Sequence, residues 1–306
     1  MRITTSMVQR NVLSDLNSHS EKQAKTQSKA SSGKEITRPS DDPFNTARAM
    51  GLRQTQAAND QYKKNIEDAQ GWQDSTESAM DSITQYVNRA QSLLLEGSTD
   101  TADADSRKSI AAEIDQIIQG IKETANATYG DNHLMSGTAT DVAPYKLGTD
   151  DAYQGNDAGL DPTVPGVIRE IGPGVTMSIN MVGHELLGDG RANPTDGKLL
   201  NALRDISDHL KANDGVALRG DNTGLQNQLN SLLDVRARNG AMTNRLEAAG
   251  TRLDQIQGAV TEQLSNTEDA DIAKTIIDFN SQQAAYQASL RAGANIVQAS
   301  LMDFLK

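Results

Sequence analysis

The sequence predicts a mainly α protein in which both chain ends form long antiparallel helices around a small β-rich insert. Three observations carry that fold class. Apolar residues near the C-terminus recur in steps of four and three over thirty-odd positions. Aromatic residues make up only 3% of 306 (three Phe, six Tyr and Trp72), which favours thin layers of Ala, Leu, Ile and Val over a wide core. Five of the seven prolines (Pro144, Pro162, Pro165, Pro173 and Pro194) fall in one central stretch, where the apolar period shortens to two.

From the N-terminus, Ile3, Met7, Leu13 and Leu16 give a weak stripe among Ser, Gln, Lys and Asn up to about Ala30. Polar positions dominate, so as an isolated peptide this segment is expected to be marginal or disordered. Asp42 followed by Pro43 reads as a helix N-cap and a first-turn proline. Residues 47–95 and 110–129 are helical in period, with Ile114, Ile117, Ile118 and Ile121 on one face of the second. Trp72 and Phe44 sit at helical positions suited to core anchors. The Gly97 to Asp105 run connects the two segments, its acidic end reading as a helix start.

The central stretch alternates at Val167, Arg169 and Ile171, then at Val175, Met177, Ile179 and Met181. Gly172-Pro173-Gly174 between the runs predicts a hairpin loop, and Gly155-Asn156 and Asp189-Gly190 add turn signals. Beyond it, Leu246, Leu253, Val260 and Thr267 repeat every seven, with Ile256 and Leu264 at the alternate position. They predict a helix from about Leu225 to Leu264, weakened by Gly240 and Gly250.

The C-terminal series is Ile272, Ile276, Phe279, Gln283, Tyr286, Leu290, Gly293, Val297, Ser300 and Phe304, with Leu301 beside the last pair. A rise of 1.5 Å per residue makes this a rod of about 50 Å. Ser265-Asn266-Thr267-Glu268 reads as a capping box for it, and Asp269 and Asp271 suit the positive end of the helix. A stripe this long at a chain end exceeds what its own helix can cover, which predicts a partner-seeking helix. These readings divide the chain into terminal helices 1–35 and 266–306, a helical rod 36–138 and 195–265, and a β-rich insert 139–194.

Function classes fall away in turn. With no cysteine there are no disulfides, zinc–thiolate sites, iron–sulfur clusters or cysteine nucleophiles. A net charge of −12 argues against general affinity for nucleic acid or anionic lipid. No run approaches the eighteen or so apolar residues of a membrane span. Met1 to Arg10 lacks an apolar h-region and a small-residue cleavage site, so no cleaved Sec leader is expected. His19, His133, His184 and His209 have no second His at ligand spacing. His184-Glu185 begins like a zinc-protease helix but stops there. Asp100 to Asp105 lacks the glycine of a calcium loop. Neither a phosphate-binding glycine loop nor a Gly-x-Ser-x-Gly elbow occurs. Asp41 and Asp42 make a helix start more readily than an acid–base pair. No enzyme, cofactor or metal is expected.

The two ends, taken together, resemble the flagellin superfamily. Ala30-Ser31-Ser32-Gly33-Lys34-Glu35-Ile36 with Arg38-Pro39-Ser40-Asp41-Asp42-Pro43 is similar to that family's N-terminal turn. Glu268-Asp269-Ala270-Asp271-Ile272-Ala273 and Gln283-Ala284-Ala285-Tyr286-Gln287-Ala288-Ser289-Leu290 are similar to its terminal helix. Met1-Arg2-Ile3-Thr4, the stretch Gly130 to Thr138, Tyr153-Gln154-Gly155-Asn156 and Ser300 to Leu305 resemble its hook-associated junction group. Met135 stands where that group usually has Phe. The resemblance covers roughly 1–140 and 200–306, and the insert more loosely.

It implies a structural subunit at the hook–filament junction, exported uncleaved by the flagellar type III apparatus and placed outside the cell. The implied partners are hook-associated protein 1, flagellin, lateral copies of itself, and an export chaperone on the C-terminal helix. Assembly would pack Ile3, Met7, Leu13, Leu16, Ile272, Ile276, Phe279, Tyr286, Leu290, Val297, Leu301 and Phe304. A chain free of disulfides also suits passage through a narrow channel. Filament flagellin itself, and a cytoplasmic helical adaptor, stay open as alternatives.

Overall fold

The structure, a computed structural model, describes residues 5–100, 102–160 and 164–304, and their side chains except at 5, 6, 8, 9 and 295–304. In chain order the described elements are α1 (Thr5–Ser32), α2 (Pro43–Gly97), α3 (Ala104–Ala125), β1 (Thr128–Tyr129), β2 (Asn132–His133), β3 (Ile168–Gly172), β4 (Val175–Ser178), α4 (Gly183–Leu187), α5 (Leu199–Lys211), α6 (Gly215–Glu268) and α7 (Ile272–Phe304). A 3-10 turn at Gly190–Ala192 precedes α5. The mainly α class with a small β-containing region is as expected. Packing divides the chain into two compact units, Met1–Ala58 with Gln255–Lys306, and Asn59–Asp254. The division falls inside α2 and α6.

The second unit is built on two seven-residue repeats. On α2, Ile66, Gln73, Met80, Val87 and Leu94 are buried; on α6, Leu218, Leu225, Leu232, Asn239, Leu246 and Leu253 are. The helices run antiparallel, as cross-links along their length require: Lys63 to Asp254 at 2.9 Å, and Arg236 Nε to Glu77 at 2.8 Å. A polar rung interrupts the apolar seam where Asn239 Nδ2 donates to the Gln73 carbonyl at 3.4 Å. Burying the Asn239 amide costs energy, and drawing it away from that carbonyl would leave it unpaired. Ile110, Ile114, Ile117, Ile118 and Ile121 of α3, and Leu199, Leu200, Leu203, Ile206 and Leu210 of α5, complete the cluster, with Trp72 and Met135 buried in it.

β3 and β4 pair antiparallel through the Pro173-Gly174 turn, Gly174 taking the left-handed φ of 67°. Ile171, Met177 and Ile179 face the core. Val175, expected on the same face, is exposed because the register shifts between Glu170 and Gly172. Arg169 binds Asp68 at 2.8 Å and Asn65 donates to the Glu170 carbonyl, fixing the hairpin to α2.

A buried charge cluster ties the rest of the insert down. Lys122 of α3, fully buried, donates to the carbonyls of Gly148 and Asp150 and to Asp151 at 3.1 Å. Arg204 of α5 grips the same carboxylate with two bonds of 2.9 Å. Burial pushes the Asp151 carboxyl up, but Arg204 and Lys122 hold it below the usual range.

Several expectations are corrected. Phe44 is 76% exposed, on the outer face of α2, whereas Trp72 is a core anchor. Helix α3 stops at Ala125, because Tyr129 enters the β1 strand and packs edge-on against Trp72. Helix α6 begins at Gly215 rather than near Leu225, capped by Asp214, whose carboxylate accepts from Val216 and Ala217. Ser265 to Glu268 form the last turn of α6 and not a capping box. Asp271 caps α7 instead, accepting from the Lys274 amide at 3.1 Å. Helix α4 falls inside the stretch expected to be β-rich, whereas α5 lies in the 195–265 segment expected to be helical. The proposed start at Asp42 holds, its carboxylate accepting from the Asn45 amide at 3.0 Å, and the acidic run before α3 does start a helix, with Asp103 as the cap that accepts from the Ser106 amide at 2.7 Å.

Two predictions follow from this unit. Asp151→Asn leaves Lys122 buried without its counter-charge and Arg204 with only Asp115 at 3.5 Å, and we expect a loss of about 3–5 kcal/mol in urea unfolding. His209 sits 2.7 Å from Asp221, which raises the imidazole pKa above its ordinary value. Such a group adds stability that is complete below its unfolded pKa of about 6.5 and is lost as pH rises through the folded one. The urea midpoint should therefore drop as pH rises above about 6.5 and through the raised folded-state pKa, and His209→Gln should flatten that slope.

Candidate assembly surface

Helices α1 and α7 lie against each other as an antiparallel pair. Gly293, buried on α7, lies close against α1: a Cβ there would come within 2.9 Å of Val12 Cγ1 and 3.8 Å of Leu16. The shielded positions of α1 are Val12, Leu16, His19, Gln23, Thr26 and Ala30, a three-four pattern. Those of α7 are Thr275, Phe279, Gln282, Tyr286, Ser289 and Gly293. This seam is mostly polar or small, while the large aliphatic residues point outward. Met7, Leu13, Ile272, Ile276, Ile277 and Leu290 are all between 45% and 67% exposed.

The residues expected to pack between subunits thus separate into two sets. Leu16, Phe279 and Tyr286 are half-buried in the pair, together with the buried Gly293. Met7, Leu13, Ile272, Ile276 and Leu290 remain on the outside. Ile3 lies outside the described residues, as do the side chains of Val297, Leu301 and Phe304. The segment expected to be marginal as an isolated peptide is helical here because α7 shields one of its faces. Sequence reasoning missed the polar half of the seam. His19 and Thr26, or Gln282 and Ser289, keep a seven-residue spacing that an apolar-only search passes over.

The base of the pair is closed by the turn that carries the family resemblance. Gly33 follows α1 with φ 69°, and its amide returns to the Lys29 carbonyl at 2.9 Å, a left-handed helix stop. Lys34 and Asp269 then pair as an antiparallel bridge, with the Glu35 amide on the Glu268 carbonyl at 2.7 Å and the Ala270 amide on the Gly33 carbonyl at 2.9 Å. The Glu268 side chain is buried between Lys34 and Arg53. Asp41 accepts from Thr37 and the Arg38 amide and binds Lys25 at 2.9 Å, and that Lys25 bond leads the lowering of its pKa. The Asn45 amide does the same for Asp42. Both carboxylates are therefore spent on turn geometry. Among the described residues no group of three His, Asp or Glu could hold a metal ion, and no helix is long and apolar enough to cross a membrane.

Residues 3–140 match the bacterial flagellin N-terminal helical region, and residues 223–305 match the bacterial flagellin C-terminal helical region. The chain is 30% identical to the flagellar hook-associated protein 3 of Escherichia coli (strain K12), with all of both chains aligned. It belongs to the flagellin family. Other members are similar as well: flagellin of Bacillus subtilis (strain 168) is 28% identical, again over all of both chains. Among solved structures, a putative flagellar hook-associated protein from Vibrio parahaemolyticus shares the fold with a TM-score of 0.64 at 20% identity, covering 75% of this chain and all of that one. The flagellar junction protein FlgL from Legionella pneumophila does so with a TM-score of 0.56 at 12% identity, covering 72% and 100%. This family member is thus a component of the bacterial flagellum, and its family is a structural one.

Gly293→Leu tests the pairing of the two ends. The added side chain would collide with Val12 and pry α1 from α7. We expect faster amide exchange across 12–26 and 279–290, with the urea midpoint of the Asn59–Asp254 unit unchanged.

Proposed function

We propose that this chain is the junction subunit between hook and filament, a structural protein rather than an enzyme. Hook-associated protein 1 would bound it on the hook side, and flagellin would seat on it distally. The observation that carries the reading is the end-to-end likeness to hook-associated protein 3, and this chain's polar α1–α7 seam with exposed aliphatic residues on its outside accords with it. A helix pair that spends its polar residues inward and its aliphatic ones outward gains most of its burial energy from neighbours. Terminal segments 1–35 and 266–306 would be the assembly helices, packing laterally against copies of the chain. In the cytoplasm the same stripe would be covered by an export chaperone on α7, and the chain would leave uncleaved through the flagellar export apparatus. Ile272, Ile276 and Leu290, with Met7 and Leu13, would carry the subunit contacts.

The full-length likeness to Bacillus subtilis flagellin supports a second reading, a filament subunit. The two part on polymerisation. A junction subunit forms no long filaments when purified alone, and a filament subunit does.

Deleting the chain from its producer is the direct test. We expect hooks that end without filaments and flagellin shed into the medium. Normal filaments on such cells would overturn the junction reading.

A further inference from the structure

The first unit holds a cavity of about 590 Å³ where α1, the following turn, the start of α2 and the end of α6 meet. Its wall is apolar at Ile36, Pro39, Ala49 and Met50, and its charged groups are Lys34, Arg38 and Arg53 against the single carboxylate of Glu268. Glu268 is already gripped by Lys34 and Arg53, whereas Arg38 has no ion pair among the described residues. This is an anomaly of charge. The chain carries 29 Lys and Arg against 41 Asp and Glu, yet its first 53 residues hold nine against five.

The second unit shows the opposite pattern. Asp205, Asp208, Asp214 and Asp221 surround His209, and only part of their charge is answered: Asp208 binds Arg191 at 2.8 Å and Asp221 binds His209 at 2.7 Å. Lys211 close by is taken by Asp115 at 2.7 Å. Asp205 has no ion pair among the described residues, and its carboxyl is pushed up by partial burial and then by the Asp221 charge. Beside this cluster Val216 stands 79% exposed, more than any other large apolar residue described. It lies two residues after Asp214 at the capped start of α6, where the Val216 and Ala217 N–H groups donate hydrogen bonds to the Asp214 carboxylate and fix the backbone. The result is an apolar knob whose collar is acidic at Asp205, Asp214 and Asp221, while Arg219 beside it is answered by Asp100 and the buried Arg107 under Gly215 is held by Asn213 and the Gly97 and Thr99 carbonyls.

We propose that the Asp214–Asp221 knob of one copy of this chain seats in the cation-lined cavity of the next. Val216 enters against Ile36 and Met50, and the acidic collar lies opposite Arg38. The inference rests on the junction-subunit reading and adds to it a contact distinct from the aliphatic stripe of α1 and α7. A knob and a cavity on different parts of one chain form a head-to-tail contact. Such a contact propagates from copy to copy into a ring or helical layer and does not stop at a two-fold dimer. It also lets a chain of net charge −12 approach its own copies, since at this contact the facing groups are of opposite sign.

The chain has no cysteine of its own, so introduced thiols report contact without background. Full-length Arg38→Cys and Val216→Cys variants, both at exposed positions, would be co-expressed in the producing bacterium, their flagella isolated and the thiols oxidised with diamide. Circular-dichroism melts matching the wild type confirm that each variant folds. We expect a cross-linked dimer on non-reducing gels when both variants are present, and none with either alone. Flagella that contain both variants yet give no such dimer would overturn this contact and leave the junction reading standing. Wild-type chain absent from isolated flagella would overturn the junction reading, and this contact with it. A charge exchange gives a second arm. Arg38→Glu or Asp205→Arg alone should lower the amount of chain retained on flagella washed in salt, and the two in one chain should restore it, because every contact then pairs the exchanged charges. Failure of the double variant to recover would count against the contact.

Discussion

The seam between α1 and α7 is the constraint on which the architecture of the chain ends depends. Its shielded residues include His19, Gln23 and Thr26 on one side and Thr275, Gln282 and Ser289 on the other, with Gly293 leaving room for Val12 and Leu16. Each apolar contact there is small, so the pair gains little burial per residue against the order of 1–2 kcal/mol needed to fix each backbone unit. The bridge at Lys34 and Asp269 supplies some of what is lacking, because it closes the pair with backbone bonds that do not depend on side-chain size. The buried carboxylate of Glu268 reinforces it from within, since Lys34 and Arg53 reach the same group from two different segments. A hinge made this way holds the ends in register while leaving their aliphatic faces uncommitted.

The Asn59–Asp254 unit solves the opposite problem. Its two seven-residue repeats and the isoleucine face of α3 bury large aliphatic side chains among themselves, and its polar groups are used where identity of packing matters. Asn239 Nδ2 reaches the Gln73 main-chain carbonyl across the α2–α6 seam, and Gln73 Nε2 donates to the Ile179 carbonyl at 2.9 Å, tying the end of the hairpin to the same point. The Lys122–Asp151–Arg204 cluster does for residues 148–151 what apolar burial cannot. A loop rich in Gly, Thr and Asp has almost nothing oily to bury, so it is docked by charge.

What the sequence made legible follows from this division of labour. Long apolar repeats such as Leu246, Leu253 and Val260, and turn chemistry such as Asp42-Pro43 and Gly172-Pro173-Gly174, act locally and can be read without a partner. The C-terminal stripe was legible as a pattern but not as a geometry. Its alternate positions divide between the α1 seam (Phe279, Tyr286 and Gly293) and the outside (Ile276 and Leu290), and only the opposing helix decides which is which. Ser265 to Glu268 match a capping pattern, yet the chain reverses after Glu268 and hands the cap to Asp271. That choice is made by pairing with Lys34, 235 positions before Asp269 in the sequence. Phe44 was misplaced for a similar reason, because a helical period gives the angle between residues and not the side on which neighbours lie. The Lys122 cluster was invisible, since a lysine in a helix reads as solvent-facing until three oxygens from a distant loop converge on it.

The distribution of charge narrows how such a chain can meet its copies. Screening in salt removes repulsion beyond roughly 8 Å, so distant acids on two copies hardly interact, but at contact the sign of the facing groups decides. An interface made only from the aliphatic stripe would be indifferent to register, because Ile, Leu and Met faces slide over one another at little cost. Fixing one copy against the next needs contacts that lose much when displaced by a single residue, and desolvated charge opposite unlike charge is the means this composition offers. The cation excess of the first 53 residues, held beside the hinge by the same turn that stops α1, places that capacity where the uncommitted faces begin. Oily surface then supplies the strength of assembly, and the charged turn supplies its register.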